Sequence, residues 1–306
     1  MGSRSTSLRE SDFAFYGSEA ERLTARLRDI ENLGQLEQLG EVPWTLYRLR
    51  EMARCREPFP NPRRVWSLSK FDGASEWDCL RFLAPVKGKR IAQLGGHGVW
   101  AVAFALAAAG EAWLISPFQP ELELGAEIAR LASVPLHCKL CAAEQLSFPD
   151  GYFDAIFAPG SAHHFETITA FPEIRRVLGP DGKFAAFDPW LTPIYKTGIR
   201  VFGKRERGVQ CIPLDPIRVR PFHKTFRHAR LRHHGAFARY PLILLGRLVT
   251  LPDPFIWSVL ALDDAIGSRL GYRRFGSGVA LLAKRGSSEP NDFNTATASV
   301  NAFRES

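Results

Sequence analysis

Strand-like and helix-like segments alternate from Lys87 to Pro189, and this alternation restricts the fold more than any other feature of the chain. Short apolar runs typical of buried strands alternate, for the most part, with segments that have helical spacing. The predicted strands are Ile91–Leu94, Ala112–Ile115, Leu136–Leu140, Phe153–Ala158 and Lys183–Phe187, and the predicted helices are Trp100–Ala109, Pro120–Ala132 and Ala170–Leu178. Such alternation favours a parallel sheet with helices on both faces, whose ligands bind beyond the carboxyl ends of the strands.

A glycine-rich turn follows the first predicted strand. Gly95, Gly96 and Gly98 stand within four residues, with His97 between them. Glycine tolerates positive φ, so its backbone can approach a ligand closely at a helix N-terminus, where free N–H groups point outward. Similar turns also serve packing, so the turn alone is a weak signal. Together with the alternation, it places a candidate ligand site at the end of the first strand.

The N-terminal part of the chain predicts a helical cap. Within residues 8–56, Leu23, Leu27 and Ile30 recur at helical spacing among charged residues. Three prolines within residues 58–62 then end the pattern, because proline cannot continue a helix. We therefore expect residues 1–70 to form a cap on the domain that follows, with docking for stability alone as the simpler alternative.

The alternation stops after Pro189, and the remaining sequence predicts an insertion followed by the last strands. A Pro- and Arg-rich stretch precedes a strand at Phe226–His233, an apolar helical stretch at Phe237–Ile266 and a final strand at Gly276–Lys284. Residues 71–285 are thus expected to form one domain with an insertion at about 191–272. Residues 286–306 are polar, and we expect a disordered tail there.

Composition excludes several classes of protein. The chain has 306 residues, of which 45% are hydrophobic and 24% charged, as in ordinary globular proteins. No apolar run is long enough to predict a transmembrane helix, and no apolar stretch near Met1 predicts a secretory signal. Five cysteines in no framework spacing favour a reducing, cytoplasmic compartment. No metal site is predicted, because Cys138 and Cys141 would point to opposite faces of a strand and no second pair accompanies them.

The positive charge is concentrated in one segment. Residues 200–234 hold ten Lys and Arg against two acids, so their surplus equals the net charge of +8 of the whole chain. Arg218, Arg220 and Lys224 are candidate substrate-binding residues, since such side chains clamp carboxylates and phosphates. The alternatives are a solvated surface and, less favoured, a nucleic-acid interface, because no RNA-binding module accompanies the basic residues.

Two stretches behind the basic segment, Tyr240–Leu245 and Phe255–Leu260, are too apolar for a simple surface loop. The simplest interpretation is that helices pack there over the sheet edge. A roof over an acceptor pocket, a peripheral membrane contact and a homodimer surface remain the alternatives.

Four further segments carry a resemblance to a known family. They are Glu121–Glu127, Ala143–Asp150 (AEQLSFPD), Ser161–Phe165 (SAHHF) and Glu173–Gly182 (EIRRVLGPDG). With the glycine turn, and in this order, they resemble the class I S-adenosylmethionine (SAM) methyltransferases, whose corresponding motifs include A-E-x-L-P-F-P-D and E-x-x-R-V-L-x-P-G-G. The resemblance covers the central third of the chain. It implies a Rossmann-like, seven-stranded, mostly parallel sheet with helices on both faces, plus the N-terminal cap and the insertion before the last strands.

The resemblance also implies SAM as the cofactor and assigns the residues around it. The matching positions are Gln93, Gly95, Gly96, His97, Gly98, Ser116, Ala142, Ala143 and Pro159. Three of these depart from the family, which has acids that hold the methionine part, the ribose hydroxyls and the adenine amine; the residues here are Gln93, Ser116 and Ala142. A carboxylate hydrogen bond contributes about 1.5–3 kcal/mol, so we expect weaker SAM binding or other contacts in place of these acids.

Histidines and one aspartate at the strand ends are the candidates for chemistry. Within the family resemblance, His163 or His164 would be the general base for an acceptor hydroxyl or amine, since histidine titrates near neutral pH. Asp188 would orient the acceptor or help to deprotonate it. The alternative is that the two histidines only shape their loop.

The sequence therefore predicts SAM-dependent methyl transfer to a small or lipid-like acceptor that bears an anionic group. The alternative is a methyltransferase-like protein that has lost methyl transfer. Such a protein would use SAM or another ligand for different chemistry, or would act as a non-catalytic partner.

Overall fold

The structure is a computed structural model that describes residues 13–55, 68, 70–193 and 212–286. Its sheet has seven strands: β1 Arg90–Leu94, β2 Glu111–Ser116, β3 His137–Leu140, β4 Phe153–Pro159, β5 Leu178–Pro189, β6 His228–His234 and β7 Gly278–Lys284. Its α-helices are α1 Ser18–Leu27, α2 Trp44–Cys55, α3 Gly73–Leu83, α4 Val99–Leu106, α5 Gln119–Ala132, α6 Thr167–Val177, α7 Arg220–Thr225, α8 Arg239–Leu248 and α9 Asp253–Leu270. The predicted tail beyond residue 286 and the basic residues 194–211 lie outside the described ranges.

The strand order is β3-β2-β1-β4-β5-β7-β6, and only β7 runs antiparallel to its neighbours. The order reverses between β1 and β4, so their carboxyl ends diverge and leave room for a ligand there. The predicted Rossmann-like, mostly parallel seven-stranded sheet is confirmed. The predicted strands match within a few residues because apolar runs bounded by glycine or polar turns identify them.

Alternate residues of each central strand enter cores on opposite faces of the sheet. Ile91 of β1 and Phe157 of β4 pack against α1 to α5, whereas Ala92 and Ile156 pack against α6 and α7. Helices on both faces are thereby confirmed. The N-terminal helices α1 and α2 share the first core, so they are packed onto the sheet domain through a common apolar interior.

The apolar stretch predicted as helical over Phe237–Ile266 forms two helices, α8 and α9. Residues 249–252 separate the two helices. Pro252 is the N-cap of α9 and Pro254 lies in its first turn, where proline is tolerated, whereas it would break a helix interior. Within the described ranges, no helix is both long and apolar enough to cross a bilayer.

A closed network of charged side chains ties α3 to β6 and α9. His234 of β6 lies with Nε2 2.8 Å from Asp78 Oδ2 of α3, and its Nδ1 bonds Asp264 of α9. Arg232 donates to the other oxygen of Asp78 at 2.9 Å. Burial opposes ionisation of both partners, yet their mutual hydrogen bonds prevail: the pKa of Asp78 is lowered and the pKa of His234 is raised.

Candidate functional site

A cavity of about 380 Å³ opens at the carboxyl ends of β1, β2 and β4, beside the reversal of strand order. Its volume lies within the roughly 300–1,000 Å³ typical of small-molecule sites. The described residues lining it are Tyr16, Glu19, Thr45, Leu68, Glu76, Gln93, Leu94, Gly95, Gly96, His97, Val99, Trp100, Ile115, Pro117, Phe118, Glu121, Cys141, Ala142, Ala143, Glu144, Pro159, Gly160, Ser161, His164, Phe165 and Phe187. The cavity is therefore where the sequence placed a ligand site.

The glycine turn is held in shape by Gln93. Its side-chain Oε1 accepts a hydrogen bond from Ala101 N at 2.7 Å, and its Nε2 donates to Gly95 O at 2.8 Å. Both ends of this buried amide are therefore used to fix the turn between β1 and α4. Gln93 still lines the cavity, but it carries no charge for a ligand.

Gly98 serves the packing of two helices. Its φ is +78°, and a Cβ there would lie 2.8 Å from the Cα of Gly125 in α5. A larger residue would thus be strained in its backbone and would collide with α5. Gly95 and Gly96 also have positive φ but, unlike Gly98, they line the cavity.

A buried carboxylate lies beside Ser116, the position where the family has its ribose-binding acid. Ser116 Oγ donates to Glu121 Oε2 at 2.6 Å and accepts from Phe118 N at 3.0 Å. Glu121 is on the first turn of α5, is 4% exposed and lines the cavity. Burial raises its pKa above the ordinary value, and the hydrogen bond from Ser116 opposes that rise. Glu121 thus places a carboxylate at the end of β2 from a neighbouring helix.

The lining as a whole is acidic and aromatic. Glu19, Glu76 and Glu144 join Glu121 in the wall, and no described lining residue is Lys or Arg. Glu76 is almost fully buried and accepts from Trp100 Nε1 at 2.9 Å. Tyr16, Trp100, Phe118, Phe165 and Phe187 add aromatic surface. Carboxylates and aromatic faces both attract cations, so the cavity suits a ligand with positive charge and flat, apolar parts.

Residues of the N-terminal helices complete the wall. Tyr16 and Glu19 come from the segment that begins α1, and Thr45 comes from α2. Arg130 of α5 donates to Ile30 O at 2.6 Å and so ties the end of this segment to the domain. The cap over residues 1–70 stays a prediction as a domain division, but its described residues form part of the site.

One of the two candidate histidines faces the cavity and the other lies behind it. His164 lines the cavity and its ring meets that of Tyr16 edge to face, with centroids 5.6 Å apart. His163 is buried, and its Nδ1 lies 2.7 Å from Asp188 Oδ1. Burial raises the pKa of Asp188 to about 8. The His163–Asp188 pair therefore supports the loop on which His164 is presented. The rings of His163 and His164 contact each other in a tilted arrangement, with centroids 4.0 Å apart.

None of the three predicted substrate-binding cations lines the cavity. Arg218 donates from Nη2 to His163 O at 2.7 Å and to Phe165 O at 3.2 Å, so its guanidinium braces the histidine loop. Arg220 and Lys224 are exposed on α7. Their predicted role in substrate binding stays a prediction.

Of the other predicted site residues, Gln93, Gly95, Gly96, His97, Ala142, Ala143, Pro159 and His164 are brought together around the cavity. Gly98, Ser116, His163 and Asp188 lie behind its wall. Sequence reasoning missed the four glutamates. A signal existed for Glu121, because an acid in the first turn after β2 falls near Ser116, whereas Glu19 and Glu76 reach the cavity only through tertiary packing.

Comparisons with known proteins agree with this geometry. Residues 95–186 match the family model described as a methyltransferase domain. The ubiquinone/menaquinone biosynthesis C-methyltransferase UbiE of Cupriavidus metallidurans is 38% identical over 92 residues, which are 29% of this chain and 38% of that protein. The UbiE of Bordetella avium is 37% identical over 97 residues, 31% of this chain and 38% of its own length. The match thus spans about two fifths of the length of these curated relatives.

A solved geranyl diphosphate methyltransferase in complex with SAM superimposes with a TM-score of 0.50 over 86% of this chain and 94% of that chain. At 17% identity this likeness shows the fold. The fold and the site define a Rossmann-like domain with a ligand cavity at the strand-order reversal. Within it, residues 95–186 are similar to a methyltransferase domain, and a SAM-bound methyltransferase shares the fold.

Proposed function

We propose that the protein transfers a methyl group from SAM to a small or lipid-like acceptor. The observation that supports this most is the buried Glu121 carboxylate, which faces the cavity beside Ser116 where the family's ribose-binding acid is missing. A carboxylate accepts hydrogen bonds from two neighbouring hydroxyls, and these charge-assisted bonds are strong when water is excluded. Glu121 would hold the ribose diol, and the family's missing acid is then replaced from a different element.

The other glutamates fit the same cofactor. SAM supplies an electrophilic methyl group on a positively charged sulfur. Glu19 and Glu76 add negative charge to the cavity wall, and its described lining contains no Lys or Arg. The aromatic side chains would cover the adenine and exclude water from the reacting atoms.

Of the three predicted catalytic residues, His163, His164 and Asp188, His164 is the one that lines the cavity. We propose that its ring nitrogen removes a proton from the acceptor as the methyl group arrives. His163 and Asp188 hold the loop behind it, and Arg218 braces the same loop through backbone carbonyls. Their role would be to keep His164 in position rather than to contact the acceptor.

The acceptor class follows from the lining and from the relatives. Leu68, Trp100 and Phe187 give the cavity apolar surface. The relatives named above act, by their names, in ubiquinone and menaquinone biosynthesis or on geranyl diphosphate. Ubiquinone and menaquinone carry isoprenoid side chains, and geranyl diphosphate is itself an isoprenoid. An isoprenoid acceptor is therefore proposed. An anionic group on it, as the sequence predicted, would find its cations outside the cavity, because the described lining contains none.

The test is calorimetric titration with SAM and S-adenosylhomocysteine. Wild type should bind both, and Glu121→Gln should bind each about tenfold or more weakly, since a charged acceptor of hydrogen bonds is lost. Glu123→Gln on the exposed face of the same helix is the matched control and should bind like wild type. No binding at millimolar ligand, or equal affinity in Glu121→Gln, would contradict the proposed site.

A second function, a ligand-binding protein without methyl transfer, is favoured by one observation: Gln93, Ser116 and Ala142 leave the strand ends without acids. The two functions differ in whether SAM is converted to S-adenosylhomocysteine when an acceptor is present. Release of S-adenosylhomocysteine in the presence of isoprenoid quinol or isoprenyl diphosphate acceptors supports transfer, provided that His164→Ala lowers it. Tight SAM binding with no release for any acceptor supports the second function.

A further inference from the structure

The two helices between β6 and β7 expose an unusual share of the apolar surface. Among the described residues, fourteen large apolar side chains are exposed, and ten of them lie between Phe237 and Phe275. These ten are Phe237, Leu244, Leu245, Leu248, Val249, Phe255, Leu262, Ile266, Leu270 and Phe275. Single exposed apolar residues are ordinary, but their concentration in one segment marks an interaction surface. We call these ten side chains the hairpin surface.

The exposure is not a sign that the helices lack a core. Leu242 of α8 and Ile256 and Leu260 of α9 are buried together in a small cluster of their own. On α9, Phe255, Leu262 and Ile266 recur at helical spacing on a different face, and on α8 Leu244 and Leu248 do the same. Each helix therefore has one apolar face packed inward and a second apolar face turned outward.

The acidic and basic side chains of this segment also differ in where they lie. Asp253 pairs with Arg48 of α2 at 3.8 Å, Asp263 accepts from Phe237 N at 3.1 Å, and Asp264 bonds His234. All three aspartates are thus engaged by neighbouring groups of the protein.

The exposed ionisable residues between Phe237 and Phe275 are all basic: Arg247, Arg269 and Arg274. The outer face is consequently apolar and positive.

We propose that the hairpin surface docks on an anionic lipid bilayer. Helices that lie in the plane of a bilayer combine Phe and Leu side chains at the headgroup–acyl boundary with arginines that reach the lipid phosphates. A second copy of the chain fits this surface less well. Two copies joined face to face would bring the same arginines together without an exposed acid of the segment to pair them.

The hairpin surface is fastened to the helices that wall the cavity. Arg48 of α2 bridges to Asp253 and lies over the ring of Trp257 at 5.3 Å, and Thr45, one turn earlier on α2, lines the cavity. Asp78 of α3, which bonds His234, lies two residues after Glu76, and Glu76 lines the cavity. A bilayer bound there would lie next to the site. The docking proposal itself does not rest on the proposed methyl transfer.

The test is flotation of the full chain with vesicles of phosphatidylcholine alone and with about 30% phosphatidylglycerol. Wild type should float with the anionic vesicles, and about 0.5 M salt should reduce the bound fraction. The variant Leu248→Glu/Leu262→Glu should bind about tenfold or more weakly, because each glutamate removes apolar contact and adds repulsion. Ile168→Glu, at a residue 68% exposed on α6, is the matched control and should bind like wild type.

A second pair of variants tests the charges. Arg269→Gln/Arg274→Gln should lose most of the preference for anionic vesicles, whereas Arg175→Gln, on the exposed side of α6, should keep it. Circular dichroism melting of every variant separates lost docking from lost folding. The proposal is overturned if wild type ignores anionic vesicles, or if Ile168→Glu binds as weakly as the double glutamate variant. It is also overturned if sedimentation shows a dimer that the double glutamate variant abolishes while vesicle binding is unchanged.

Discussion

Two groups of buried acids in this molecule have opposite electrostatic character. Asp78 is enclosed by His234, Arg232 and Arg273, and its pKa is lowered. Glu121 has a serine hydroxyl as its nearest side-chain partner, faces a cavity, and has its pKa raised by burial. The first group is satisfied within the fold. The second carries a desolvation cost that a ligand with hydroxyls or positive charge would offset, and this supports the proposed binding site.

The largest effect is expected from breaking the enclosed group. Asp78→Ala should lower the free energy of unfolding by about 3–5 kcal/mol, because it leaves His234 buried without one of its two acids. Urea denaturation measures this. Asp150→Ala removes an exposed acid that pairs with Arg176 and should cost less than about 1 kcal/mol. Similar losses in both variants would mean that the enclosure of Asp78 has no special importance.

A smaller effect, about 2 kcal/mol, is expected for His234→Gln, and it should depend on pH. The folded-state pKa of His234 is raised above 6.5, so its contribution is fully present below about pH 6.5 and is lost as pH rises through the folded value. The stability gap between wild type and His234→Gln should therefore be widest near pH 6 and narrow toward pH 9. A gap that stays constant over this range would show that His234 does not titrate in the folded protein.

The smallest effect is expected at Glu121, and it has the opposite sign. Glu121→Gln should raise the free energy of unfolding by about 1 kcal/mol near pH 8, because it removes a desolvated charge while an amide oxygen can still accept from Ser116. The folded-state pKa is raised, so the penalty in wild type appears only as pH rises above about 4.5. Denaturation at pH 5 and pH 8 measures it, and a loss of stability at both would show that Glu121 is structural.

Much of the fold could be predicted from the sequence, because the features that specify it are local. Ile91–Leu94 is apolar and ends at glycine, and such segments identify buried strands without knowledge of their neighbours. The helical character of Phe237–Ile266 was predicted as well, and Pro252 and Pro254 between its two apolar parts mark where α8 and α9 are separated.

The candidate site was only half predictable. Gly95, Ala142 and His164 stand in segments with a family pattern, and the structure brings them to one cavity. Tyr16 and Glu76 reach it from helices whose sequences contain no pattern for it, and their approach depends on how α1 and α3 pack. The contact of Arg218 with the histidine loop could not be predicted for the same reason, because His163 O and Phe165 O lie 55 and 53 residues from it in the sequence.

The contribution of Tyr16 and Glu19 to the cavity wall has a consequence for the order in which the site is built during synthesis. These residues leave the ribosome before α5, and Arg130, which fastens the end of their segment, lies 100 residues after Ile30. Contacts of such sequence separation form late, because the intervening chain must be ordered before they repay its entropy. A nascent chain therefore has no complete site until Phe187 of β5 has emerged, long after α1 has been made.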